Sequence, residues 1–114
     1  MSVTIKNKND TLYILIKGEI DHHTAPGLRD AIDDALVMNE SANQVVLDFS
    51  GVTFMDSSGV GLVMGRYRLI AGKNKKLSVH NLSERDYKIM KMSGIEKLAE
   101  ITKKTETGRF GDIL

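Results

Sequence analysis

The stretch "FMDSSGVGLVMGRYR", residues 54–68, follows the apolar run "QVVLDFS", residues 44–50, and places three glycines at the opening of a helix. A β-rich run, a polar turn and a helical stripe in succession make a strand, a turn and a helix, and the rest of the chain reads outward from that unit. The segment from Ser57 to about Ala71 predicts a helix with Val60, Val63, Met64 and Tyr67 on one stripe. The strand is bounded by "NESAN" before it and by "SGVTFMDSS" after it.

Upstream, "VTIKNKNDTLYILIKGEI" holds two alternating runs about the polar "NKND", the pattern of a hairpin with an Asn-Asp turn. Ile14, Leu15 and Ile16 are consecutive, which predicts a second strand buried on both faces and therefore central. In "GEIDHHTAPGLRDAIDDALVMNE" the period changes: Leu28, Ile32, Leu36 and Val37 mark an amphipathic helix, with Thr24 placed to cap it and Pro26 in its first turn. Downstream, "KKLSVHN" reads as a strand. Ser83 is placed to cap a helix over "ERDYKIMKMS" that ends at Gly94, and "LAEIT" can close as a further strand. Strands alternating with helices predict an α/β domain whose parallel pairs are joined by crossover helices, all on one face of the sheet or split across two.

A chain of 114 residues suits one domain, taken as 1–114, with one core and one site. With 27% charged residues and a net charge of +1, it lacks the basic excess of a nucleic-acid binder, and the lysines of "KNKK" and "KK" read as solvated loops. Cysteine is absent, which removes disulfides, thiolate metal sites and thiol nucleophiles. The first twenty residues alternate polar and apolar, unlike a signal peptide or a membrane span. The expected compartment is the cytoplasm, with no membrane or direct nucleic-acid partner.

Strand, glycine turn and helix is also the setting of the dinucleotide fingerprint. Here Gly59, Gly61 and Gly65 give a spacing one residue too long, Met64 stands where the third glycine belongs, and no Gly-Lys-Ser/Thr end follows. Gly61 and Gly65 share a helical face, and each costs about 0.5–1 kcal/mol relative to alanine. Either close helix-to-sheet packing or a flat surface for a partner would account for them. Asp56, Ser57 and Ser58 stand where the helix starts; one cap needs one residue, so at least one hydroxyl is left for solvent. A phosphate there would meet unpaired amides at the positive end of the helix. It would also bring about −1.5 to −2 charges beside Asp56, enough to disrupt an interface matched to a neutral hydroxyl. Ser57 and Ser58 are both plausible acceptors on this reading. His22 and His23 would point apart on an extended segment, and with no third ligand nearby no metal site is expected. Met38, Met64, Met90 and Met92 read as core filling or partly exposed apolar surface.

"GEIDHHTAPGLRDAID", "VVLDFSGVTFMDSSGVGLVMGRYR" and "MSGI" together resemble the anti-sigma factor antagonists of the STAS domain family, in particular the stage II sporulation AA type. The likeness runs from about Thr11 to Ile95 in unbroken order. It implies a four- or five-stranded mixed sheet with helices packed mainly on one face. It also implies that Ser57, directly after the aspartate of "DSSG", is phosphorylated by the cognate anti-sigma factor, itself an ATP-dependent serine kinase. The unphosphorylated antagonist would bind the nucleotide-bound anti-sigma factor and free the sigma factor; the phosphorylated one would let go, and a serine phosphatase would reset it.

On this reading Ser58 caps the helix, and Gly59 and Gly61 leave room for the kinase. Asp21 is an acidic contact for the partner or a second cap near Thr24. His22 and His23 lie on the rim of the partner surface or serve as ordinary polar turn residues, while Thr24, Asp56 and Ser58 belong to the partner surface beside their capping roles. The chain is then a substrate and binding module, a monomer with no catalytic base, cofactor or metal of its own. The tail "TETGRFGDIL" is short and glycine-containing where the sporulation type usually closes with a helix. Two other readings stand beside this one. An antagonist from a stress-response switch would use the same chemistry on another sigma factor. A small nucleotide-binding protein would bind ATP or GTP through the glycine turn and lose it on Gly61→Leu.

Overall fold

The computed structural model describes residues 2–104. A hairpin of β1 (Ser2–Lys8) and β2 (Thr11–Ile20) is followed by α1 (Ala25–Met38), β3 (Gln44–Met55), α2 (Ser57–Ala71), β4 (Lys76–Leu82), α3 (Glu84–Met92), a 3-10 turn (Ile95–Lys97) and β5 (Glu100–Lys103). Asn9 and Asp10 make the hairpin turn, both at positive φ, 52° and 62°, as a two-residue turn matched to strand twist requires.

The sheet has the order β1-β2-β3-β4-β5, antiparallel at β1/β2 and parallel at the three remaining pairs. Crossovers that all advance in one direction bring their helices to the same side of a sheet. Leu28, Ile32 and Ala35 of α1, Leu62, Val63 and Ile70 of α2, and Met90 of α3 accordingly meet Leu12, Ile14, Ile16, Val45, Leu47, Phe49, Leu77 and Val79 in one core. The mixed sheet with helices on one face is thus the fold expected from the sequence.

Four local expectations need correction. Tyr13 is 41% exposed and Leu15 only partly buried, because no helix covers that face of the sheet; β2 is interior through its strand neighbours alone. Val37 is 73% exposed, since the buried stripe of α1 runs through Leu28, Ile32 and Ala35. The buried face of α2 is turned towards Leu62, Val63, Arg66 and Ile70, leaving Val60, Met64 and Tyr67 at its border. The methionines divide as expected between core and surface, Met90 fully buried and Met38 and Met92 exposed.

The fourth correction positions the site. β3 does not stop at Ser50 but continues to Met55. β4 accompanies it only from Gln44 to Asp48, so the extension is paired on one side, with β2, across two register shifts. Gly51 makes this possible: a Cβ there would lie 2.7 Å from Lys17 Cγ and 3.0 Å from the Ile16 carbonyl oxygen. The tail "TETGRFGDIL" lies outside the described residues.

Candidate functional site

β2 and β3 run parallel, so their C-terminal ends reach the same edge of the sheet. Ile20 pairs with Met55, and the Asp56 amide donates to the Ile20 carbonyl at 3.2 Å. Asp21 and Asp56, the first residues beyond the two strands, therefore stand side by side, each leading into a helix.

The lead into α1 is a closed hydrogen-bonded turn. Asp21 Oδ1 accepts the amides of His23 at 2.8 Å and Thr24 at 2.9 Å. Thr24 Oγ1 answers by accepting the Asp21 amide at 3.0 Å and donating to the Glu19 carbonyl at 2.9 Å. Thr24 is the N-cap by position but its side chain caps no helical amide, which corrects the expectation for it. The Thr24 amide, helped by that of His23, holds the Asp21 carboxyl below the usual carboxylate range. Asp21 Oδ2 has no partner among the described residues. His22 and His23 are both exposed, and their rings lie 3.9 Å apart instead of pointing away from each other, because the segment is a turn and not extended chain.

The lead into α2 is simpler. Asp56 is extended, and its Oδ1 accepts the Ser58 amide at 2.8 Å while its carbonyl accepts the Gly59 amide at 3.0 Å. Asp56 is the cap, not Ser58, whose contribution is a backbone amide. Ser57 is exposed, and its hydroxyl has no hydrogen-bond partner among the described residues. Ser58, half-buried, faces a shallow groove of about 400 Å³ shared with His22, Arg29, Gly61 and Gly65.

The glycines now separate. A Cβ on Gly59 would come within 2.4 Å of Met55 Cγ and Sδ, so Gly59 is required by packing. At Gly61 and Gly65 an added Cβ would meet nothing within 4 Å. Close packing inside the chain does not account for them.

Two arginines complete the surroundings, neither singled out by the sequence pattern. Arg66, only 7% exposed, forms an ion pair with Asp33 at 2.7 Å, without the alignment of a hydrogen bond, and so joins α1 to α2. Burial pushes its pKa down and the Asp33 carboxylate pushes it back up. Arg85 donates through Nη1 to the Met55 carbonyl at 2.8 Å and to Asp86 at 3.2 Å, with its guanidinium 5.5 Å from the centre of the Phe54 ring. A cation in the first turn of α3 opposes the helix dipole, and that misfit was the available signal. Among the described residues no three metal-ligating side chains converge, and no helix is long and apolar enough to cross a membrane.

A one-sided α/β sheet thus brings together at one edge two aspartates and a serine hydroxyl with no partner among the described residues. The chain belongs to the STAS domain family, which it matches over residues 2–108. It is 31% identical to the anti-sigma F factor antagonist of Paenibacillus polymyxa over 101 residues, 89% of this chain and 86% of that one. To the anti-sigma-B factor antagonist of Bacillus subtilis (strain 168) it is 28% identical over 108 residues, 95% and 96% of the two chains. The structure of the anti-sigma factor antagonist SpoIIAA in its unphosphorylated form superposes with a TM-score of 0.74 at 27% identity, covering 98% of this chain and 96% of that one. The phosphorylated form of the Bacillus cell fate determinant SpoIIAA gives 0.69 at 26% identity, covering 99% and 100%.

Proposed function

We propose that this chain is an anti-sigma factor antagonist switched by phosphorylation of Ser57. In the unphosphorylated state the edge formed by Asp21, His22, His23, Thr24, Asp56, Ser58, Gly59 and Gly61 binds an anti-sigma factor that is also a nucleotide-bound serine kinase, and a sigma factor is released. Phosphate on Ser57 ends that binding, and a serine phosphatase restores it. The observation that carries this reading is the exposed Ser57 hydroxyl, without a partner among the described residues, one residue past a cap that Asp56 already provides. A phosphate there gains the helix N-terminus and places about two negative charges on a surface otherwise matched to a hydroxyl. Relatives named as anti-sigma factor antagonists, and a similar protein solved in both phosphorylation states, support the same assignment.

The sigma factor is proposed to be of the F type, the likeness to the F-factor antagonist being 31% against 28% for the B-factor antagonist. A B-type target is the second reading, favoured by the longer match of 108 residues.

The test is site-resolved mass analysis after incubation with the candidate anti-sigma factor and ATP. One phosphate on Ser57, absent from Ser57→Ala, is the expected result. A stable complex without phosphate would make the chain a passive binding module, and a phosphate on Ser58 would move the switch by one residue.

A further inference from the structure

The end of β3 lacks a strand on one side, and an arginine takes the place of that strand. β4 accompanies β3 only as far as Asp48, and beyond it the Met55 carbonyl is bonded by Arg85 Nη1 at 2.8 Å. The same nitrogen also reaches Asp86 at 3.2 Å, and the Phe54 ring lies 5.5 Å from the guanidinium. These three contacts fix the position and plane of the group. A guanidinium has five N–H donors. Both on Nη1 are occupied; the three on Nη2 and Nε have no partner among the described residues, and the side chain is 60% exposed.

Ser57 is two residues beyond Met55, and two residues of extended chain span at most about 7 Å. That bound on the Cα separation places a phosphate on its hydroxyl in the neighbourhood of Arg85, and the three open donors are distinct from the Nη1 bonds to Met55 and Asp86. Arginine binds phosphate through a planar fork that suits an already oriented group. The other charges around the phosphate are Asp56 at the same helix start, Asp86 on α3, Asp21 with His22 and His23 at the end of β2, and Arg29 and Arg66 in the groove beside Ser58. Arg66 is paired with Asp33 and Arg29 with Asp30, whereas Arg85 is the permanent cation bonded to the Met55 carbonyl with donors to spare.

From this arrangement we infer that Arg85 is the intramolecular counter-ion of a phosphate on Ser57, holding it against the start of α2. The inference rests on the reading of Ser57 as the phosphate acceptor. It makes the phosphorylated state a defined conformation with its own ion pair, in addition to a surface that repels the partner.

Phosphoserine placed at position 57 during translation tests this without any kinase. The phosphate's second ionisation, followed by phosphorus NMR, is expected to lie about 0.2–0.7 of a pH unit higher in Arg85→Gln than in the parent, the size of an exposed ion pair. The Arg85 Nε–H resonance of the phosphorylated parent is expected to move downfield from its position in the unmodified chain, a readout that needs no variant. Equal ionisation in parent and Arg85→Gln, or an unmoved Nε–H, overturns the pairing. Failure of the acceptor reading would appear elsewhere, as no phosphate on Ser57 after incubation with anti-sigma factor and ATP.

Discussion

Two helices begin side by side at one edge of the sheet, and their first turns are built differently. At α1 the polar atoms close on one another: Asp21 and Thr24 exchange hydrogen bonds and Thr24 reaches back to Glu19. At α2 a single carboxylate, Asp56, serves as the cap, and the Ser57 hydroxyl is left over. Closed polar turns fix geometry, and the bond from the Asp56 amide to the Ile20 carbonyl ties the start of α2 to the strand end that carries this turn. A polar residue at a helix start is informative when its hydrogen-bonding capacity exceeds what the turn consumes.

The largest effect is expected where the two helices are held together. Arg66→Ala removes the ion pair to Asp33 between α1 and α2, leaves a partly buried carboxylate uncompensated, and is expected to cost about 3 kcal/mol in denaturant unfolding. Next come two substitutions at neighbouring glycines of α2. Gly59→Ala, which drives a methyl into Met55, is expected to lose about 1–3 kcal/mol. Gly61→Ala, opening onto free space, is expected to gain up to about 1 kcal/mol while weakening the anti-sigma factor complex in calorimetry. A Gly61→Ala chain that binds unchanged would remove that glycine from the partner surface.

A smaller effect concerns acid. The Asp21 carboxyl is held below its ordinary value of 3.8, so its contribution to stability is fully present above that value and fades as pH falls through the lowered one. Asp21→Asn is expected to flatten that part of the stability curve below about pH 4 and to leave the neutral-to-basic part parallel to the parent's. Smallest of all, Ser57→Ala is expected to change the unfolding free energy by less than about 0.5 kcal/mol, because its exposed hydroxyl bonds to nothing among the described residues. That neutrality, together with complete loss of phosphate uptake, would separate the open start of α2 from the closed turn before α1.

Much of this was legible in the sequence because local chemistry decided it. The Asn-Asp hairpin, the start of α2 and the Ser83 cap of α3 each depend on residues adjacent in the chain. Ser83 accepts the Asp86 amide, and Gly94 at φ 87° turns the chain after α3. The misreadings came where a distant neighbour decided. Strand β3 passes through "SGVTFM" because β2 offers it a partner and Gly51 a close approach, neither visible in the β-propensity of the segment. Thr24 has the position of a cap, yet its hydroxyl turns back to Glu19 instead of reaching a helical amide. Arg66 and Arg85 look like surface residues on a helical wheel. Their roles depend on Asp33 and on the Met55 carbonyl, 33 and 30 residues away in the chain.

The one-sided extension of β3 gives the molecule a cantilever. From Gly51 to Met55 the strand is fastened along β2 and propped near its tip by Arg85, while the centre of the sheet lies back towards Gln44. The fastenings of the tip are lateral, to the end of β2 with its Asp21 turn and to the first turn of α3. Val45, Val46, Leu47 and Phe49, buried in the middle of the sheet, lie behind these fastenings. The phosphorylation proposed for Ser57 would therefore act on a tip held only from the side, apart from the paired centre of the sheet.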